Sequence, residues 1–338
     1  MIKVAVDAMG GDNAPQAPVK GALLALEELR DIDVHISLIG QQGVVEGFFA
    51  GSEGSISSRL DIVHASEVIT NDDHPTKAIK EKQDSSLVKG MQMLKDGQVD
   101  AMISAGNTGA LMAGGLMKVG RLKGIKRPAL ASVFPTFTGK GVVILDIGAT
   151  MDPKPENLRD YAVMGSIYAE KVLQRDNPRV GLINVGVEKT KGNQLAKHAY
   201  DMLDKANINF TGNVEARELL DGVVDVAVCE GFMGNVILKF LEGMGKGIFS
   251  SMKEEFTASF KGKLGAYLLR PSLLPLKKRF DYGEYGGAPF LGIDGVLVKS
   301  HGSSDARAIK NAITKQVYYL VNEDVLDSFV DRINHHGN

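Results

Sequence analysis

The chain has 338 residues, 44% of them apolar, enough for one large α/β domain or two closely joined ones and too many for extended disorder. A formal net charge of −2 excludes a polycation built around nucleic acid, so local basic clusters must carry any anion binding. The single cysteine, Cys229, excludes an internal disulfide framework and a paired-cysteine zinc site, and it fits a reducing cytosol.

In chain order, short apolar runs at 2–6, 34–39, 60–64, 99–104, 142–146, 180–185, 225–229 and 295–300 read as strands. Each closes on small or polar residues, and most lead through a turn-rich segment into helical spacing. That rhythm predicts βαβ units, a mostly parallel sheet and a three-layer α/β/α sandwich. Residues 51–58 read as a surface loop, and 271–287 as a candidate functional stretch. The start lacks the apolar core of a signal peptide, and no run approaches the about 18 apolar residues of a spanning helix. One helix is especially legible. Val236, Phe240, Met244, Ile248, Met252 and Phe256 recur every four residues, a stripe expected to pack on the sheet or on a partner subunit.

Ligands of open parallel sheets bind beyond the carboxyl ends of the strands. The unusual residues collect there: Asp7-Ala8-Met9-Gly10-Gly11-Asp12, Ala105-Gly106-Asn107-Thr108-Gly109, Ile147-Gly148-Ala149-Thr150, the loop from Gly186 to Asn193, the loop from Glu230 to Asn235, and His301-Gly302-Ser303-Ser304-Asp305. Glycines admit a ligand to the backbone, and small polar residues cap helices whose exposed N–H groups attract anions. Any strand-to-helix turn needs such residues, so one loop alone says little; six point to a phosphate-like or polar ligand. Neither the nucleotide P-loop pattern nor GxGxxG opens the first helix. Asp7 and Asp12 could pair on magnesium, yet Asp in a turn equally caps backbone amides; no metal and no organic cofactor is expected.

Asp7-Ala8-Met9-Gly10-Gly11-Asp12, the run from Ser104 to Leu111, and Tyr285-Gly286-Gly287-Ala288-Pro289 leading to His301-Gly302-Ser303-Ser304 closely resemble the PlsX family, the phosphate acyltransferases of bacterial phospholipid synthesis. Asp84-Ser85-Ser86, Lys191-Gly192-Asn193, Gly212-Asn213-Val214-Glu215 and Gly234-Asn235-Val236 continue the match in order, to about residue 325. The resemblance implies transfer of a long-chain acyl group from an acyl-carrier-protein thioester to inorganic phosphate. It further implies a fold related to phosphotransacetylases and isopropylmalate-type dehydrogenases, a homodimer and peripheral membrane association in the cytoplasm. A glycerol-3-phosphate acyltransferase is the expected downstream partner. The sequence departs from the pattern at Thr150, where Asn is usual after Asp-x-Gly-Ala, and at Cys229-Glu230, where Thr-Asp is usual.

Phosphate is already an oxyanion nucleophile, and a thiol with a pKa near ~8.5 leaves with little acid assistance. A Ser-His-Asp triad is therefore unnecessary. What remains is to hold phosphate, align it on the carbonyl and stabilise the tetrahedral oxyanion. Lys191, Asn235 and His301 are the catalytic candidates. Asp7, Gly10, Gly11, Lys82, Ser85, Asn107, Thr108, Asn193, Ser303 and Ser304 are the substrate-binding candidates. For His301, positioning a ligand is favoured over acid–base work, with Ser303 or Ser304 capping the helix near 305–320. Cys229 ends an apolar run and reads as a small buried hydrophobe. Two rival functions stay open: a phosphotransacetylase-like enzyme on short acyl-CoA, and a non-catalytic membrane scaffold for lipid-synthesis enzymes.

Acyl carrier proteins are acidic, and Lys118, Arg121, Lys123, Lys126 and Arg127 form the densest basic run, which reads equally as a docking surface and as a solvated helix end. Leu264, Tyr267, Leu268, Leu269, Leu273, Leu274 and Leu276 surround Pro271 and Pro275 and precede Lys277-Lys278-Arg279. Prolines interrupt helices, so this region is expected to be two helices meeting at an apolar tip. The whole is read as a single domain with a membrane-tip insertion around 257–284, contacting the lipid surface through 264–279.

Overall fold

The computed structural model describes residues 1–48, 57–280 and 282–335. Twelve strands form among them: β1 Ile2–Asp7, β2 Val34–Gly40, β3 Leu60–His64, β4 Ala101–Ser104, β5 Ala129–Leu130, β6 Ser132–Phe134, β7 Val142–Leu145, β8 Arg179–Asn184, β9 Asn209–Glu215, β10 Val226–Val228, β11 Ala288–Leu291 and β12 Val296–Lys299. One sheet runs β3-β2-β1-β4-β12-β11-β5 and the other β6-β7-β10-β8-β9. In the first, β3 through β12 are parallel and only β11 runs against its neighbours. In the second, β7, β10, β8 and β9 are parallel and β6 is antiparallel.

The two sheets are stitched by residues 129–134. β5 pairs with β11 of the first sheet, and two residues later β6 pairs with β7 of the second. At the crossing, Ala131 N donates to Pro289 O at 3.0 Å, and Ile147 N donates to Leu130 O at 3.0 Å. Alternate residues of the central strands then feed two cores. Val4, Val6, Val143 and Leu145 belong to one, while Ala5, Met102, Ile144 and Ala227 belong to the other. Both cores extend across both sheets, which gives the three layers expected from the βα rhythm. Helix Pro155–Lys171 is buried almost all round, as a helix enclosed between layers must be.

All eight strands expected from the sequence form, within a residue or two of their bounds. Loop 51–58 falls mostly outside the described residues, and nothing is described of the side chains of Lys277, Lys278 and Arg279.

One expectation is narrowed and another corrected. Helix Gly231–Thr257 buries only Gly231 and Gly234. Its stripe does not pack on the sheet: Val236, Phe240, Met244 and Ile248 are all exposed. The helix leaves the body after its first turns and pairs with the next one, Phe260–Arg279, as a projecting hairpin. Pro271 and Pro275 do not divide that second helix, and the turn between the helices lies at 258–259 instead. Prolines four residues apart share one face, so the helix can yield there without breaking. No helix among the described residues is long and apolar enough to cross a membrane.

Candidate active site

In the first sheet the chain leaves β1 for β2 on one side, and β4 lies on the other; a crevice opens at such a switch point. Asp7 ends β1 there, 2% exposed. Its Oδ2 accepts from Ser104 Oγ at 2.7 Å and its Oδ1 from Met9 N at 3.0 Å, while Ser104 Oγ accepts from Gly106 N at 3.0 Å. Asp7 therefore ties the ends of β1 and β4 together. The two loops approach so closely that a Cβ on Gly10 would lie 2.4 Å from Asp7 Oδ2 and 2.8 Å from Gly106 N. Asp12 N donates to Gly302 O at 2.8 Å, and Asn13 Nδ2 donates to Ser303 O and Ser304 O at 3.2 Å each. The first and last candidate loops of the chain are thereby one structure.

Behind them stands Lys299, which was not singled out from the sequence. Its side chain is 8% exposed, and its ammonium donates to Ser300 O and, at 3.2 Å, to Ala105 O. Burial pushes its pKa down to about 8, against the upward pull of Asp7 and Asp12; Lys239 pushes the same way as burial.

His301 projects beyond this lysine. Ser303 N donates to its Nδ1 at 3.1 Å and Ser303 Oγ lies 2.8 Å from the same atom. Since Nδ1 accepts from an amide, the hydroxyl also donates to it, and the neutral ring carries its proton on Nε2. That Nε2 lies 3.7 Å from Glu242 Oε1, and Glu242 Oε2 lies 3.1 Å from Lys239 Nζ. Burial lowers the His301 pKa and Glu242 opposes the shift. Neither Ser303 nor Ser304 caps the helix that follows: Asp305 does, its Oδ1 accepting from Ala308 N at 2.9 Å.

The second sheet has its own switch point. β8 leads outward to β9, and β10 returns on the other side of β8. Asn184 folds the loop after β8, accepting from Val185 N at 2.8 Å and donating to Lys191 O at 3.2 Å. Gly192 turns at φ +89°, Lys191 is exposed, and Asn193 caps helix Gln194–Leu203 through Ala196 N at 2.9 Å. Opposite, Glu230 caps helix Gly231–Thr257, its Oε2 accepting from Met233 N at 2.6 Å. The longer side chain thus still performs the capping that Asp would. Burial raises its pKa.

Asp146, fully buried, gathers the N–H groups of Leu130, Gly148, Ala149 and Thr150, so Thr150 is held through its backbone. Asn235 sits in the second turn of its helix. It is exposed and its amide covers Gly148. Cys229 is buried, and burial raises its pKa well above the usual thiol value, which removes it as a thiolate nucleophile.

Helix Gly231–Thr257 joins the two ends. Its first turn rests on the Asp146 loop and its fourth presents Glu242 to His301. The side chains of Lys82 and Asn107 hold loop 66–75, which follows β3, and Ser85 turns back on Lys82. Lys82 Nζ donates to Asp73 Oδ2 at 2.6 Å and Val68 O at 2.9 Å, and buried Ser85 donates to Lys82 O at 2.7 Å. Asn107 donates to Thr70 O at 3.1 Å and caps its own helix at Ala110 N, with exposed Thr108 beside it.

Two mostly parallel sheets between helical layers make this an α/β fold, and it is the fold of solved phosphotransacetylases. A phosphotransacetylase from Streptococcus pyogenes superposes with a TM-score of 0.58 at 15% identity, covering 96% of this chain and 94% of that one. EutD phosphotransacetylase from Staphylococcus aureus gives 0.54 at 12%, covering 98% and 94%. At such identities the likeness is one of fold. Sequence carries the assignment further. The profile of the fatty acid synthesis protein family matches residues 2–327. The chain is 50% identical over 322 residues, 95% of each chain, to a phosphate acyltransferase of Alkaliphilus oremlandii (strain OhILAs). It is 48% identical over 334 residues, 99% of each, to one of Lysinibacillus sphaericus (strain C3-41). The chain belongs to this family of acyltransferases, as the motifs implied.

Proposed function

We propose that the chain takes a long-chain fatty acyl group from acyl carrier protein and transfers it to inorganic phosphate, with phosphate itself as the nucleophile. A phosphate oxygen bonds to the thioester carbonyl carbon, and the C–S bond then breaks with its electron pair on sulfur. The products are an acyl phosphate and the carrier thiol. The observation that carries this reading is the placement of cationic and amide groups at two switch points bridged by one helix, with the chain's one thiol buried. Lys191 and Asn193 are assigned to the phosphate or the oxyanion and Asn235 to an amide contact. His301 presents its Nε2–H to the ligand, and Lys299 contributes positive charge from beneath.

The basic run from Lys118 to Arg127 is assigned to the acidic carrier. The projecting hairpin is read as a tip inserted in a single domain. Its exposed stripe supports a homodimer, and exposed Tyr267, Leu268, Leu269 and Leu274 support contact with a lipid surface. A glycerol-3-phosphate acyltransferase is the natural consumer of the product. Purified protein mixed with long-chain acyl carrier protein and phosphate, then trapped with hydroxylamine, should yield acyl hydroxamate only when phosphate is present. Hydroxamate from short acyl-CoA alone would favour the phosphotransacetylase reading, and none from either donor would leave the scaffold.

A further inference from the structure

A cavity of about 270 Å³ opens at the switch point of the second sheet, between the carboxyl ends of β8 and β10. Its walls are Leu158, Leu182, Leu195, Ala196 and Met233, and its rim includes Asn193 and Glu230. We propose that this cavity receives the fatty acyl chain, with the reacting carbonyl at its mouth. The inference rests on the acyl-transfer reading above and deepens it.

The argument is one of matched polarity. A fatty acyl thioester is a hydrocarbon chain ending in a polar carbonyl that becomes an oxyanion during transfer. The cavity has the same order, with hydrocarbon walls inside and helix N-termini at the entrance. Asn193 caps one of those helices and Glu230 the other, so the positive ends of two helix dipoles converge on the mouth. Lys191 stands on the same loop, its stem alongside Gly186. Val185, 74% exposed at the end of β8, adds an apolar edge to the mouth. At the first sheet's switch point the β1 and β4 loops instead approach one another closely. There the backbones meet closely enough to exclude a Cβ, which suits a small anion and not a chain.

Filling or enlarging the cavity tests this. Ala196→Leu adds bulk to the wall, and Leu195→Ala removes it. Each variant is compared with wild type for kcat/KM on octanoyl- and palmitoyl-acyl carrier protein, with circular dichroism confirming the fold. Ala196→Leu should lower the palmitoyl-to-octanoyl ratio by about tenfold or more, the discrimination that methylenes in an apolar pocket provide, and Leu195→Ala should move the ratio the other way. A ratio unchanged in the folded variants, or equal loss on both donors, overturns the assignment; if one variant does not fold, the other decides. Wild type inactive on both donors would instead overturn acyl transfer itself.

Discussion

Lys299 shows what burial does to a single charge. Ordinary lysine titrates near 10.5; here burial brings the value to about 8. As pH rises through about 8 the folded protein loses this cation. If its charge supports the anion, kcat/KM falls on an alkaline limb centred there. Lys299→Met should reduce kcat/KM by about a hundredfold and abolish that limb; a limb surviving in the variant would assign it to another group. The stability dependence runs the opposite way. Between about 8 and 10.5 the unfolded chain binds the extra proton, so this residue's contribution to stability rises with pH. Parity could have flagged the residue. Val296 and Val298 feed one core and Leu297 the other, so Lys299 falls on the Leu297 face of a strand buried on both sides. His301 and its neighbours were legible as polar residues at a strand end, but which nitrogen carries the proton depends on the bond from Ser303 N, which only the folded loop shows.

At the scale of elements, glycines in one helix have opposite roles. A Cβ at Gly234 would lie 1.8 Å from Asp146 O, whereas one at Gly247 meets nothing within 4 Å. Gly234→Ala should therefore destabilise by about 3 kcal/mol or more and disrupt the Asp146 loop, while Gly247→Ala should stabilise by about 0.5–1 kcal/mol. Thermal melts of the two would check the contrast. Strands long enough to show an apolar run were legible. β5 and β6, of two and three residues, are too short to carry any period. β9 is a polar edge strand broken by Gly212 at φ +99°, and β11 contains Pro289, which argues against a strand when read locally. Spacing found the stripe of helix Gly231–Thr257 but not what it faces, because an amphipathic pattern records that a surface wants covering and not by what.

For the whole molecule, the six candidate loops did point to the carboxyl ends, yet sequence could not sort them between two sheets. That sorting depends on strand order, which non-local pairing sets. The hairpin bears the most exposed apolar surface, with Phe260 at 83% and Leu268 at 69%. Leu268→Glu with Leu269→Glu should abolish flotation with anionic liposomes while leaving phosphate-dependent turnover of acyl carrier protein in solution within about twofold. Flotation undiminished would remove the hairpin as the anchor.

The helix opening on Gly231 is a rod about 40 Å long, clamped at its root by a glycine with no slack against residue 146. A rod clamped at one end carries torque from the other. Glu242 rides on it about two-fifths of the way out, facing His301 from the neighbouring sheet. A load placed on the tip would therefore be felt at that imidazole.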